Sequence, residues 1–423
     1  MLIRAALATM LACLAAAPVA DAAALRITGR QRLDDRLTVL TLRTGAVAGP
    51  TRVRVLVPPG YATSARRYPV LYLLHGALDD ESSWTEKGDA EAITRRWPLV
   101  VVMPDSGTSG GYANWYRGGH GGSPAWETYH VDQLIPLIDR RYRTIAGRSG
   151  RAIAGLSMGG FGAMSYAARH PDRFVAAAAF SGAVDTNNPL DIAVTGDEPF
   201  GPRATQEVRW RGHNPWDLAP NLRGVDLTVR TGNGLPGGPF GGGDVFELGV
   251  HQMSVSFHQR LRQLGLSHVW DDYGPGGHTW PYWQRDLRET LPELLARFAH
   301  PAPAPARVSF RAIEPAYRAY GWRVAVHRPA LEFSELRTAS RRGFTLRGSG
   351  TATVVTPRVF KAGRRLRVRV RDHRGSRTRA LVADRAGRLH VAVTLGPGNA
   401  GQQDTPGVTT RVFSATVAIG AAR

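Results

Sequence analysis

"AIAGLSMGGFG", residues 152–162, decides how this chain is read. An apolar run reaches Gly155, a serine stands at position 157, and a segment with helical apolar spacing follows. Gly155-Leu156-Ser157-Met158-Gly159 fits the G-x-S-x-G nucleophile elbow, a strand-to-helix turn too tight for side chains beside the serine, which leaves its Oγ exposed above the sheet edge. The alternative is a glycine-rich turn that happens to contain a serine. The strand and helix patterns on either side weigh against it.

Working outward, further apolar runs resemble that strand: "YPVLYLLHG" (68–76), "WPLVVVMPD" (97–105), "VAAAAFSG" (175–182), "VDLTVRTG" (225–232) and "HVWDDYG" (268–274). Runs this continuous suit strands buried on both faces. Between them, "AWETYHVDQLIPLIDRRY" (125–142), the stretch after Ser157, residues 246–265 and residues 282–298 carry apolar residues at helical spacing. The alternation predicts a doubly wound α/β sheet.

"HPAPAPAR", His300 to Arg307, interrupts this pattern with alternating prolines that favour an extended, stiff spacer. Beyond it, β-branched runs such as "GTATVVTP", "RRLRVRVRD" and "RLHVAVTLG" are separated by glycine-bearing turns, which predicts a small all-β sandwich over 307–423. The expected organisation is an export signal over 1–22, a catalytic domain over 23–300, a linker over 301–306 and the β-rich domain. An early arginine, an apolar stretch and Ala20 to Ala22 make up that signal, which predicts a secreted or cell-envelope protein. A membrane anchor is the other reading of the same stretch, but it is short for spanning. Cys13, the single cysteine, lies inside it, so no disulfide is expected in the mature chain.

Net charge is +20, and residues 301–423 hold 23 Arg and Lys against 6 Asp and Glu. In "RRLRVRVRD", Arg365, Arg367, Arg369 and Arg371 alternate with apolar residues, so a strand there has one basic face. It is read either as a solvated face or as a patch for an anionic cell-wall polymer or lipid surface. Nucleic acid is disfavoured because no aromatics are interleaved.

A serine hydroxyl needs a base to take its proton and an acid to orient that base. His278, in "YGPGGHTWPYW" after the last predicted strand, is the best base, because the preceding glycines let its loop approach the serine. Asp244 and Glu247, in the loop "GNGLPGGPFGGGDVFELG", are both candidates for the acid, and composition does not choose between them. Oxyanion donors are expected from the N–H of Met158 and from Ala77 or Leu78. Trp115, Trp280 and Trp283 are read either as lining an acyl or sugar cleft or as core aromatics. No His and carboxylate cluster has ligand spacing, so neither metal nor cofactor is expected.

Residues of about 50 to 298 resemble the esterase D and antigen 85 family of α/β-hydrolases, through "VLYLLHG", "VVMPDSG", "NWY" (114–116), "WETYHVDQLIPLID", "GLSMGGFGAM", "HPDRF" and "GGHTWPYW". The resemblance implies Ser157 as nucleophile and His278 as base. It also selects Glu247 as acid, through "FELGVHQMSVSF", and assigns the oxyanion donors to Met158 and Ala77. It departs at "LHGALDDESSW", where antigen 85 proteins have "LDGLR": His75 replaces the aspartate and no arginine follows. That puts trehalose as an acceptor in doubt and favours an esterase acting on acyl esters. An acyltransferase and a non-catalytic envelope-binding protein are the alternatives.

Overall fold

The computed structural model describes residues 25–119 and 122–421. The export signal expected over 1–22, with Cys13, lies outside the described residues.

Nine strands form the main sheet: β1 (Arg26–Arg32), β2 (Leu37–Arg43), β3 (Pro50–Leu56), β4 (Val70–Leu74), β5 (Val100–Pro104), β6 (Arg151–Leu156), β7 (Ala176–Phe180), β8 (Asp226–Thr231) and β9 (Val269–Asp272). Their order is β1-β2-β3-β5-β4-β6-β7-β8-β9. The six from β5 to β9 run parallel, whereas β1, β2 and β3 form an antiparallel edge. That edge was not foreseen: β1 is exposed along most of its length and offers no continuous apolar run.

β4 and β5 are buried at every position. Their alternate residues serve two separate cores, Leu71 and Leu73 on one face and Val70, Tyr72 and Leu74 on the other. Leu287, Leu291 and Leu294 of the helix Trp280–Ala299 close the first face. Met164 and Ala167 of the helix Met158–Arg169 help close the second. The helix expected over 125–142 begins as a wide-turned π segment, Thr128–Leu134, and continues as α-helix over Ile135–Arg141. Pro136 lies at this junction and has no N–H to give to a regular ladder.

The chain leaves β4 toward β5 on one side and returns to β6 on the other. Such a reversal opens a crevice beyond the carboxyl ends of the two strands, where open α/β sheets bind ligands. Leu74 and Leu156 end there, so the segments that follow them, His75 to Leu78 and Ser157, share that crevice.

The C-terminal region has two antiparallel sheets. One contains, in spatial order, β10 (Val308–Ala312), β13 (Ser334–Ser340), β14 (Gly343–Gly348), β19 (Phe413–Ala421), β16 (Arg365–Asp372) and β17 (Gly375–Val382). The other contains β11 (Ala316–Ala319), β12 (Trp322–His327), β15 (Gly350–Val355) and β18 (His390–Gly396). Leu366, Val368 and Val417 of the first share one core with Trp322, Val354 and Val393 of the second, so the two sheets form a sandwich.

The Pro/Ala stretch was expected to act as a spacer, but it lies along the α/β body: Arg148 donates to the carbonyls of Ala302 (2.7 Å) and Gly224 (2.5 Å). Farther along the seam, the buried Arg169 guanidinium reaches Glu127 (2.9 Å) on its own side and Glu314 (2.6 Å) on the sandwich side. Burial alone would raise the Glu127 carboxyl; the charges of Arg169 and His170 hold it well below the usual carboxylate range.

Candidate active site

Ser157 has φ 52° and ψ −120°, a left-handed backbone that a residue with a Cβ adopts only when its surroundings enforce it. The enforcement is on both sides: Ser157 N donates to Phe180 O (3.0 Å), and Ser157 O accepts from Phe161 N (3.1 Å) and Ala183 N (3.2 Å). Backbone packs on backbone around this turn. A Cβ on Gly159 would lie 2.5 Å from His75 O, and one on Gly155 would strike Gly159 O. The two glycines of the motif are therefore steric requirements of the elbow.

Directly after it, the helix Met158–Arg169 begins, so the Met158 N–H lacks an intrahelical acceptor and points out of the helix start. Across the crevice, a Cβ on Gly76 would come within 3.5 Å of Ser157 Cβ, which brings the loop after β4 against the serine. Leu78 N donates to Thr108 O (2.8 Å), so of the two donors considered on this loop the Leu78 N–H is committed elsewhere. His75 braces the loop from behind. Its Nε2 accepts from Ser106 N (3.0 Å), which leaves Nδ1–H to donate to Gly76 O (2.8 Å). Burial lowers its pKa and keeps it in this neutral form.

His278 and Glu247 meet on the other side of the crevice. Glu247 Oε2 lies 2.6 Å from His278 Nδ1, and the carboxylate side chain is fully buried. Its second oxygen, Oε1, accepts from Ser181 Oγ (2.7 Å), Gly232 N (2.9 Å) and Thr231 Oγ1 (3.2 Å). A carboxylate taken out of water needs such donors around it, and they also fix its orientation. With Nδ1 paired to the carboxylate, Nε2 is the ring nitrogen left to exchange a proton; it is buried and carries no hydrogen bond. The imidazole stands between Phe246 (ring centroids 4.9 Å apart) and Trp283 (4.9 Å, edge-on).

Asp244, the other acid considered, is bonded to backbone. Oδ1 accepts from Glu247 N (2.6 Å), capping the helix Val245–Gln263, and Oδ2 accepts from His278 N (2.7 Å). One side chain thus positions the main chain of both neighbours. The Asp-x-x-Glu spacing ahead of a helix is a capping signal that could have revealed this role. Ser181 and Thr231 had no comparable signal, since nothing local in a strand end says which distant carboxylate it will meet.

The tryptophans divide. Trp280 packs edge-on against Trp84 (5.2 Å) and Trp283 (5.3 Å), so among these aromatics it is Trp283 that reaches His278. Trp115 donates to Gly110 O (2.7 Å) and starts the turn Tyr116–Gly118. Of the remaining histidines, His130 is bonded to Tyr166 OH and Asp105 O (3.0 Å each), and burial pushes its pKa down to about 3. His251 pairs with Asp272 and His258 with His268.

The Esterase family model matches residues 44–294, more than half of the chain. The chain belongs to the Esterase family. Two relatives extend the likeness. An esterase of Mycobacterium tuberculosis is 34% identical over 275 residues, 61% of this chain and 59% of the relative. The diacylglycerol acyltransferase/mycolyltransferase Ag85B of Mycolicibacterium smegmatis is 30% identical over 248 residues, 53% of this chain and 75% of the relative. The match to the M. tuberculosis esterase spans about six tenths of that protein's length. Among solved structures, an S-formylglutathione hydrolase from Agrobacterium tumefaciens aligns with a TM-score of 0.54 at 19% identity, over 64% of this chain and 99% of that one. MPT51 of M. tuberculosis aligns with a TM-score of 0.50 at 22% identity, over 63% and 98%. At these identities the alignments establish the fold, an α/β-hydrolase, as the family's sequence resemblance implied.

Proposed function

We propose that the protein is an exported serine esterase that hydrolyses carboxylic esters through an acyl-Ser157 intermediate. The observation that carries the reading is the 2.6 Å contact between His278 Nδ1 and the buried Glu247 carboxylate, in a chain whose Ser157 is held in an elbow conformation at the end of β6. In this mechanism Ser157 Oγ attacks the ester carbonyl while His278 Nε2 takes its proton. Glu247 holds the imidazole and stabilises the imidazolium. The N–H groups of Met158 and Ala77 receive the oxyanion. His278 then protonates the departing alcohol, and a water deprotonated by His278 attacks the acyl carbon, releasing the acid and restoring Ser157.

The surroundings favour an apolar acyl group. Leu78 is 84% and Val245 85% exposed, and Phe246, Leu248, Ile192 and Val194 are exposed as well. They lie on the loop beside Ser157, on the first turn around Glu247 and on the helix Pro189–Val194, which packs against that turn's helix where Leu190 covers Gly249. Phe246 lies against the His278 ring, and exposed apolar side chains around a site mark one that takes an apolar partner.

The 30% identity to a mycolyltransferase supports the second reading, in which a sugar or glycerol hydroxyl replaces water in the last step. Mass spectrometry of products separates the two. The protein is incubated with acyl esters of several chain lengths, with and without trehalose, glucose and glycerol, beside Ser157→Ala. Free acid throughout, reduced about 10⁴-fold or more in the variant, is the expected result. Acylated sugar in preference to acid would make it an acyltransferase, and no turnover of any ester would leave a binding protein.

A further inference from the structure

Away from the crevice, the sandwich contains a concave cleft of about 750 Å³. Its floor is the exposed face of the four-stranded sheet, in two rungs: His327, Thr351 and Thr394, then Ala325, Thr353 and Ala392. These side chains are small or hydroxylated apart from His327 at one end. The wall is the edge strand β17. Arg377 and Arg379 pair with Val370 and Val368 of β16, so they point to the face opposite Arg365, Arg367, Arg369 and Arg371 and overlook the floor. Arg374, at the hairpin turn, completes the wall.

The hairpin is held in place by Asp372. It receives both Nη groups of Arg377 (2.8 Å each) and the Thr394 N–H (2.9 Å), tying β17 to the edge of β18. Arg374 and Arg379 have no ion-pair partner among the described residues, and no acidic side chain lines the cleft. Two unneutralised guanidiniums and one positioned one face a floor of threonine hydroxyls. Guanidinium forks match carboxylate and phosphate oxygens, and hydroxyls match the alcohols of a sugar.

From this geometry we infer that the cleft binds a short run of anionic glycan, its acidic groups on Arg374 and Arg379 and its hydroxyls along the threonine rungs. The inference does not depend on the esterase reading. A flat bilayer does not enter a concave floor, and no Phe, Tyr or Trp lines the cleft for bases to stack on. The same absence removes the ring on which a neutral sugar would stack, which leaves charge as the basis of recognition.

Isothermal titration of the full chain tests it, with hexagalacturonate, a glycerol phosphate hexamer, neutral maltohexaose, hexathymidylate and anionic phosphatidylglycerol vesicles as probes. One molecule of an anionic hexamer should bind per chain and maltohexaose should not; the carboxylate and phosphate arms show which acid is preferred. Arg374→Ser with Arg379→Ser should weaken that binding about tenfold or more, the loss expected for charge-assisted hydrogen bonds. Arg365→Ser with Arg367→Ser removes the same charge from the opposite face and should change it less than about threefold. Thr353→Trp, which fills the floor without touching charge, should also abolish binding, with thermal melts confirming that each variant folds. Equal losses from both arginine pairs, preference for vesicles or hexathymidylate, or no binding of either anionic hexamer would overturn the inference.

Discussion

The α/β body and the β-sandwich both bury matched charge, but they differ in where they leave the rest. In the body, charged groups are taken inside and matched: Arg230 meets Asp271 and Glu293, Arg151 meets Asp139, and Glu247 sits fully buried among its donors. In the sandwich, Arg328 and Glu332 form a buried pair and Asp372 is buried under Arg377, but the arginines of β16 alternate cleanly outward. Burying a charge is expensive unless its partners are already in place, and those partners come from several strands and loops. The body accepts that cost near its crevice and at its seams. The sandwich accepts it at Arg328–Glu332 and at Asp372, and leaves the arginines of β16 to solvent and to whatever approaches from outside.

The strongest way to break this contrast is Glu247→Gln. The amide keeps the shape, but its NH₂ must face donors, and it no longer stabilises an imidazolium. Ester turnover should fall by about 10³–10⁴-fold, measured as kcat/KM, with little change in the thermal midpoint. A loss below tenfold would remove Glu247 from the catalytic set.

At the seam, Arg169→Met leaves the buried Glu127 with His170 as its partner and strips the half-buried Glu314 of their shared cation. Breaking a buried pair from one side costs about 3–5 kcal/mol, so chemical denaturation should show a loss of that order. An unchanged midpoint would mean that the two regions hold together by their apolar and backbone contacts alone.

An effect that appears only as pH changes is expected at Asp286, in the helix Trp280–Ala299. Burial pushes its pKa up to about 8, partly offset by Arg285. The folded state therefore binds this proton more tightly than the unfolded chain. The stability it contributes is complete below about pH 4 and is lost as pH rises toward 8. Asp286→Asn mimics the protonated form, so its melting point relative to the parent should climb steadily between about pH 5 and about pH 8.5. A gap that is constant with pH would show that the group does not titrate there.

The same contrast explains what the sequence discloses. Alternation is strict where a strand has one wet face, so "RRLRVRVRD" reads directly as β16 with a basic side. Fully buried strands such as β4 and β5 stand out as unbroken apolar runs. Ser157 is legible because its turn demands glycine at set positions, and the loop carrying His278 because glycines precede it. Asp244 and Glu247 could not be separated by composition, since either type of carboxylate suits a helix start. Only long-range contacts to Ser181, Thr231 and Gly232 distinguish the buried oxygen from the capping one. Trp280 and Trp283 were equally ambiguous, because which face of their helix meets His278 depends on where the helix lands.

The seam itself carries a mechanical meaning. Because Arg148 grips the Pro/Ala stretch and Arg169 is shared across the junction, the sandwich is mounted on the body as a bracket, where a loose tether would let it swing. A tether lets its two ends sample a sphere of separations, and its benefit depends on linker length. A bracket has one bearing and one offset. Whatever the sandwich holds, the crevice is presented to it at a single distance and angle, so the reach of Ser157 over a bound surface is a fixed radius set by the fold.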